Sequence, residues 1–234
     1  MALYTLSDTH LSLSCDKPMD IFGSRWKNHT EKLKILWNST VSEEDTVVIG
    51  GDISWGLTME EALPDLLFID SLKGNKILLR GNHDFWWTTI SKISRAFEEN
   101  GIGSITLLQN NAIKLGNLVI CGSRGWYNDP QNATAVTNCD HKKIVARECQ
   151  RLRLSLTEAD RLGGEKIVFM HFPPVFADYV CRELINVLHE SGIKRVYYGH
   201  IHGSYNIPPS SVFEGIEFTI VSADYLDFRP LRIE

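Results

Sequence analysis

What this chain lacks narrows its roles first. No stretch of its 234 residues approaches 18 consecutive apolar positions, so the sequence offers no membrane span. The opening Ala2-Leu3-Tyr4-Thr5-Leu6 runs into Asp8 without the basic start, long apolar run and small-residue cleavage site of a secretory leader. Cysteine is sparse: Cys15, Cys121, Cys139, Cys149 and Cys181 are five in number and form no CxxC pair. They read as free thiols of a reducing compartment, and the cytoplasm is the expected location. A basic excess is also missing. The 24 Lys and Arg stand against 29 Asp and Glu, a formal charge of −5, which disfavours a broad nucleic-acid surface. Linkers, repeats and low-complexity tracts are not found, so one domain over 1–234 is expected.

What is present is a recurrent alternation. Short apolar runs of strand length occur at Ala2–Leu6, Thr46–Ile49, Lys76–Leu79, Lys166–Met170 and Arg195–Tyr198. Amphipathic stretches with helical spacing lie between them, at His29–Trp37, Thr58–Leu72, Trp86–Glu98 and Asp178–Glu190. Such alternation predicts a layered α/β fold with much parallel pairing. Ile105–Leu108, Ala112–Leu115 and Leu118–Gly122 read as an antiparallel meander, and Gly215–Val221 as a further strand. The expected architecture is a mixed two-sheet sandwich flanked by helices.

The positions of the polar residues carry the functional signal. All five apolar runs end at a residue able to bind a metal. The first meets Ser7-Asp8-Thr9-His10, the second Gly50-Gly51-Asp52, and the third Arg80-Gly81-Asn82-His83-Asp84. The last two meet His171 and Gly199-His200-Ile201-His202. In open α/β sheets the loops at strand carboxyl ends converge to build sites. In Asp8-x-His10 and His200-x-His202 an extended backbone aims both side chains the same way. Four His, two Asp and an Asn amide oxygen, without a thiolate, suit Mn, Fe, Zn, Co or Ni better than Ca. Seven ligands exceed one tetrahedral site, so two ions sharing a carboxylate is the expected count.

These blocks, in this order from Asp8 to His202, resemble the calcineurin-like metallophosphoesterase superfamily. The resemblance implies that Asp8, His10, Asp52 and His202 hold one metal, and that Asp52, Asn82, His171 and His200 hold the second, with Asp52 bridging. It implies that His83 protonates the leaving oxygen or steadies the transition state. The implied reaction is hydrolysis of a small molecule's phosphomonoester or phosphodiester by a metal-bridging hydroxide, with Mn, Fe or Zn as the cofactor ions. The phosphoprotein phosphatases of the superfamily carry an Arg in a GDxxDRG block; the corresponding block here is GGDISWG, which weakens that substrate class.

Other residues are read with less support from pattern. Arg124, Trp126 and Tyr127 follow a strand and offer a fork for a phosphate oxygen and two rings for stacking. Asp84 is read as orienting His83 or as the N-cap of the Phe85–Glu98 helix. Trp55 is placed at the cleft mouth. His29, His141 and His189 are expected to face solvent from helices. The alternatives to a small-molecule esterase are a single-strand nuclease stacking bases on Trp126 and Tyr127, and a metal-binding scaffold without activity.

Overall fold

Strands that read as continuous apolar runs need cover on both faces, and the computed structural model supplies it. It describes residues 1–126 and 138–234, with backbone alone at 138 and 139. In chain order the elements are β1 (Leu3–Leu6), α1 (His29–Thr40), β2 (Thr46–Ile49), α2 (Met59–Ser71), β3 (Asn75–Leu79), α3 (Ile90–Glu99) and β4 (Ile105–Leu108). The second half continues with β5 (Ile113–Leu115), β6 (Leu118–Ser123), α4 (Asn138–Leu162), β7 (Glu165–Met170), β8 (Val175–Phe176), β9 (Tyr179–Val180) and α5 (Arg182–Glu190). It ends with β10 (Arg195–Tyr198), β11 (Ser210–Phe213), β12 (Ile216–Ile220) and β13 (Leu231–Arg232).

Two sheets result. The first has the order β13-β1-β2-β3-β4, parallel except for the edge strand β13. The second has the order β11-β12-β10-β7-β6-β5, with antiparallel partners only at its two edges. Alternate residues of each strand serve different cores. Val48, Ile77, Ile167, Phe169 and Tyr197 fill the layer between the sheets. Val47, Ile49 and Leu78 turn instead toward Leu33, Trp37, Leu66 and Phe97 of the first helical layer. Val168, Met170 and Val196 turn toward Leu152, Leu156, Leu184 and Leu188 of α4 and α5. The expected two-sheet sandwich flanked by helices is therefore the observed one.

The meander expectation is corrected. β5 and β6 do form an antiparallel hairpin, but β4 pairs parallel with β3 in the other sheet. Its neighbour Asn110-Asn111 is thus a crossing between sheets. Asn111 accepts from the Gln109 amide and donates to the Leu107 carbonyl, while Asn110 takes a left-handed φ of 60°. Helix starts also shift. α3 begins at Ile90 and α5 at Arg182, the latter because Tyr179–Val180 pairs with Val175–Phe176. The helix expected at His141 is the 25-residue α4, whose bounds the pattern does not give and whose exposed face is largely polar. Among the described residues no helix is long and apolar enough to cross a membrane.

A buried cation closes the α2–β3 junction. Lys76 is 1% exposed, and its ammonium donates to the carbonyls of Asp70, Leu72 and Gly74 and to Ser104 Oγ. Burial pushes its pKa down to about 8, yet four acceptors surround it. Lys76→Met leaves those carbonyls without a donor and is expected to cost about 2–4 kcal/mol. Urea unfolding checks this: the midpoint falls while the slope stays.

Candidate active site

The loops after β1 and β2 continue the ladder beyond the strands. Asp8 N donates to Gly51 O (2.9 Å), His10 N to Asp52 O (3.0 Å) and Leu11 N to Ile53 O (2.9 Å). The second sheet is joined at the same edge, where Ser7 N donates to Val221 O and Ala223 N to Ser7 O, both 2.8 Å. This lacing bends the chain sharply. Asp8, His10, Asp52 and His200 all take left-handed φ values, between 45° and 70°, so these bends and not the expected extended backbone aim the ligand side chains. Each such non-glycine position costs on the order of 1–2 kcal/mol, strain that persists when the surroundings over-determine it. Two glycines are required by contact. A Cβ at Gly81 would lie 2.1 Å from Asp52 Oδ1, and one at Gly199 2.4 Å from Asp8 Oδ2.

The bends bring two groups of ligand-type atoms together. Asp8, His10 and His202 each offer an atom within 4.8 Å of the others, and so do Asp52, His171 and His200. One oxygen joins the groups: Asp52 Oδ2 stands 3.7 Å from His10 Nε2 and 3.4 Å from His171 Nε2. His202 Nε2 lies 3.3 Å from His10 Nε2 and 3.6 Å from Asp8 Oδ1. Asn82 Oδ1 is 2.6 Å from His171 Nε2.

These contacts fit metal ions and suit hydrogen bonding poorly. His171 Nδ1 donates to the Gly50 carbonyl (3.1 Å), which leaves Nε2 with a lone pair facing the Asn82 oxygen. His202 Nδ1 bonds Asp224 Oδ1 (2.8 Å), so its Nε2 faces the first group. Ligand atoms that share one ion at about 2.0–2.2 Å stand roughly 3–3.5 Å apart, near the spacings seen. Burial reinforces the reading. Desolvation pushes the Asp8 carboxyl up to about 6 and the Asp52 carboxyl well above its usual range, Asp84 and Asp8 adding repulsion at Asp52. Desolvation also holds His10 and His171 well below their ordinary values, which keeps their lone pairs free. Buried carboxylates facing ring nitrogens lack a positive charge, and cations supply one.

Three supporting residues act differently from the sequence reading. Asp84 neither caps α3 nor touches His83. Its carboxylate accepts from the amides of Asp52 (2.9 Å), Ile53 (2.8 Å), Ser54 (3.3 Å) and Gly81 (2.7 Å) and from Trp86 Nε1 (3.1 Å). It therefore pins the β2 and β3 loops to each other. His29 is buried at 8% exposure, packs edge-on to Trp26 and shares a 3.3 Å hydrogen bond with the His10 carbonyl. It does not face solvent. His141 is half-buried against Trp126, whereas His189 is exposed beside Glu214.

Asp224 escaped the sequence reading. It accepts from His202 Nδ1, Gly203 N (3.1 Å) and Tyr205 OH (3.0 Å). Burial would raise its carboxyl, but these bonds, His202 first, hold it below the usual range. For His202 burial is likewise outweighed, by Asp224 and Asp8, and its value rises. The signal was available, since Asp224 follows the Gly215–Val221 run as the ligands follow theirs. A carboxylate that orients a metal-binding imidazole is commonly worth about 10–100-fold in affinity. Asp224→Asn is expected to weaken Mn²⁺ binding by that factor, as a calorimetric titration would show.

An aromatic wall encloses the first group. Trp55 stacks on His10 (4.9 Å between centroids) and lies tilted against His83 (4.3 Å), with Lys17 Nζ 4.4 Å from its ring centre. His83 donates its backbone N–H to Asp52 Oδ1 (2.8 Å). Burial, with His202 and Lys17, holds its imidazole down to about 4, so the neutral ring prevails at pH 7. Arg124 and Trp126 stand outside both ligand groups. Arg124 pairs with Glu148 (3.5 Å), and Trp126 donates to His141 Nδ1 (3.0 Å) and packs on Phe172. Tyr127 lies outside the described residues.

Comparison with known proteins agrees with this architecture. A solved structure titled phosphopantetheinyl hydrolase (PptH) from Mycobacterium tuberculosis shares the fold with a TM-score of 0.58 at 14% identity, covering 99% of this chain and 95% of that one. A protein of unknown function from Aquifex aeolicus, AQ665, gives 0.51 at 16% identity with the same coverage of 99% and 95%. No curated protein matches the chain. The sequence model of the calcineurin-like phosphoesterases matches residues 1–204. With the strand-end ligands of both sheets gathered inside that match, the chain belongs to the calcineurin-like phosphoesterase family.

Proposed function

We propose that the protein is a two-metal phosphoesterase that hydrolyses a phosphate ester of a small molecule. The observation that carries this reading is the position of Asp52 Oδ2 between His10 of one ligand group and His171 of the other. Asp8, His10, Asp52 and His202 would hold one ion, and Asp52, Asn82, His171 and His200 the other. When bound, such a pair lowers the pKa of water and offsets charge developing on the phosphoryl oxygens.

The chain's own side chains supply the rest. Asp224 and the Gly50 carbonyl fix the tautomers of His202 and His171, so both present Nε2 to the centre. Asp84 sets the distance between the Asp52 and Asn82 loops. His83, packed on Trp55 and His10 at the edge of the first group, keeps one ring N–H to donate to the leaving oxygen. Trp26 closes that side edge-on against His10 and His202 and limits water there.

The test is Mn²⁺-dependent release of nitrophenolate from nitrophenyl phosphate and from bis(nitrophenyl) phosphate, measured side by side. The proposal expects turnover of at least one ester that EDTA abolishes; the faster ester tells monoesterase from diesterase. Two bound metals with neither ester cleaved would favour the scaffold reading instead.

A further inference from the structure

One charged cluster is left over once the metal ligands and their supports are assigned. Glu148 on α4 is fully buried, and a single one of its oxygens, Oε1, meets Arg151 Nη1 (2.9 Å), Arg124 Nη2 (3.5 Å) and Arg147 Nε (3.7 Å). Arg80 stands close enough to add its charge to the same cluster. Three guanidiniums thus share one carboxylate oxygen, with a fourth nearby. Asp84, another carboxylate near Arg80, is already spent on five donors. Among the described residues Arg80 Nε and Arg124 Nε are buried with no partner, as is the second oxygen of Glu148, Oε2.

Arg147 and Arg151 keep 53% and 36% of their side chains exposed, but Arg124 is only 18% exposed, and its burial beside a carboxylate already paired costs desolvation. Burial lowers the Arg124 pKa, Glu148 opposes that, and repulsion from Arg80, Arg147 and Arg151 adds to it. Arg124 and Arg151 meet Glu148 and, together with Arg80, also line a cavity. Arg80, Gln109, Ser123 and Arg124 reach it from the carboxyl ends of β3, β4 and β6, and Arg151 from α4. It therefore opens at the edge where the metal ligands lie, in the gap between the two sheets.

The cavity is coupled to the second ligand group through two short connections. Arg80 directly precedes the Gly81-Asn82-His83 loop. Arg124 accepts at its carbonyl from Phe172 N (2.8 Å), next to His171, and its guanidinium lies 5.8 Å from the Phe172 ring centre. That ring in turn packs on His200 at 4.4 Å. A molecule whose scissile phosphate sits between the ligand groups can place another group here.

We propose that the Arg80–Arg124–Arg151 cavity is an oxyanion subsite that takes a phosphate group other than the one cleaved. Guanidinium forks match the tetrahedral face of a phosphate, and three of them line this one cavity. The subsite deepens the phosphoesterase reading, on which its link to a substrate rests. Its phosphate comes either from the substrate's far end or from free phosphate in solution.

The experiment has two arms. In the first, inorganic phosphate is titrated calorimetrically into EDTA-treated protein, whose acidic centre has no attraction for it. Wild type is expected to bind, and Arg124→Met and Arg151→Met to bind about tenfold more weakly or less. Arg161→Met, which removes an exposed charge from the same helix, serves as the control and binds as wild type does. Circular dichroism confirms that each variant is folded. In the second arm, Mn²⁺-loaded protein hydrolyses alkanediol bisphosphates of increasing length beside the alkyl monophosphates. A preference for one spacer length, with a kcat/KM ratio that collapses in Arg151→Met, assigns the subsite to the substrate. Arginine-dependent phosphate binding without any such preference assigns it to free phosphate. No phosphate binding by wild type, or equal binding by the arginine variants, overturns the subsite. If no ester is hydrolysed, the phosphoesterase reading fails while the first arm still decides this one.

Discussion

Asp52→Asn is expected to lower kcat/KM about a thousandfold, ~4 kcal/mol of transition-state stabilisation, while making the metal-free protein more stable. The two effects share one cause. Asp52 Oδ2 lies between His10 Nε2 and His171 Nε2, where an anion is useful only if cations share the space. Without them its charge is buried beside Asp8 and Asp84 and raises the free energy of the fold. The amide keeps the shape, and its oxygen still accepts from His83 N, but it carries no charge. The sign follows from the raised pKa. A carboxyl that prefers its protonated form in the fold loses stability as pH rises past its unfolded value, and Asn removes that loss. Melting of EDTA-treated protein at pH 7 should show the variant about 2–8 °C higher. A variant that is inactive because it is less stable would point to a structural Asp52 and away from metal binding.

Asp84→Ala is expected to be the most destabilising change near the centre, by about 3–5 kcal/mol. Removing the carboxylate strands the amides of Asp52, Ile53, Ser54 and Gly81 and the Trp86 indole, all in a dry interior. Because those donors belong to two ligand loops, metal affinity should fall together with stability. Asp84→Asn retains one acceptor oxygen and should lie between wild type and Ala in both. Urea unfolding with and without Mn²⁺ measures the pair. A loss under about 1 kcal/mol would show that the loops are held by other contacts.

Much of this was legible because the strands are buried on both sides. Such strands read as unbroken apolar runs, and β2 and β10 have the bounds the pattern predicts. Their carboxyl ends then mark the ligand positions without any knowledge of pairing. Pairing itself was not legible. Ile105–Leu108 looks like the first strand of a meander, and only the room beside β3 decides that it joins the other sheet. A helix is expected at His141, but the bounds of α4 are not legible because its apolar stripe, Val145, Cys149, Leu152, Leu156 and Ala159, is diluted by charge on the other faces. Asp84 shows the limit for polar residues: its type fits a cap, a base orienter or a loop clamp, and only the positions of distant amides choose among them. His29 was a missed signal of a simpler kind. It stands four residues before Leu33 and eight before Trp37, on the stripe those residues bury.

The measurement that tests the account most directly is anomalous scattering at the manganese edge from crystals grown with Mn²⁺. The account predicts two peaks, one among Asp8, His10, Asp52 and His202 and one among Asp52, Asn82, His171 and His200. A single peak that Asp52 does not touch, or none at either group, would contradict it.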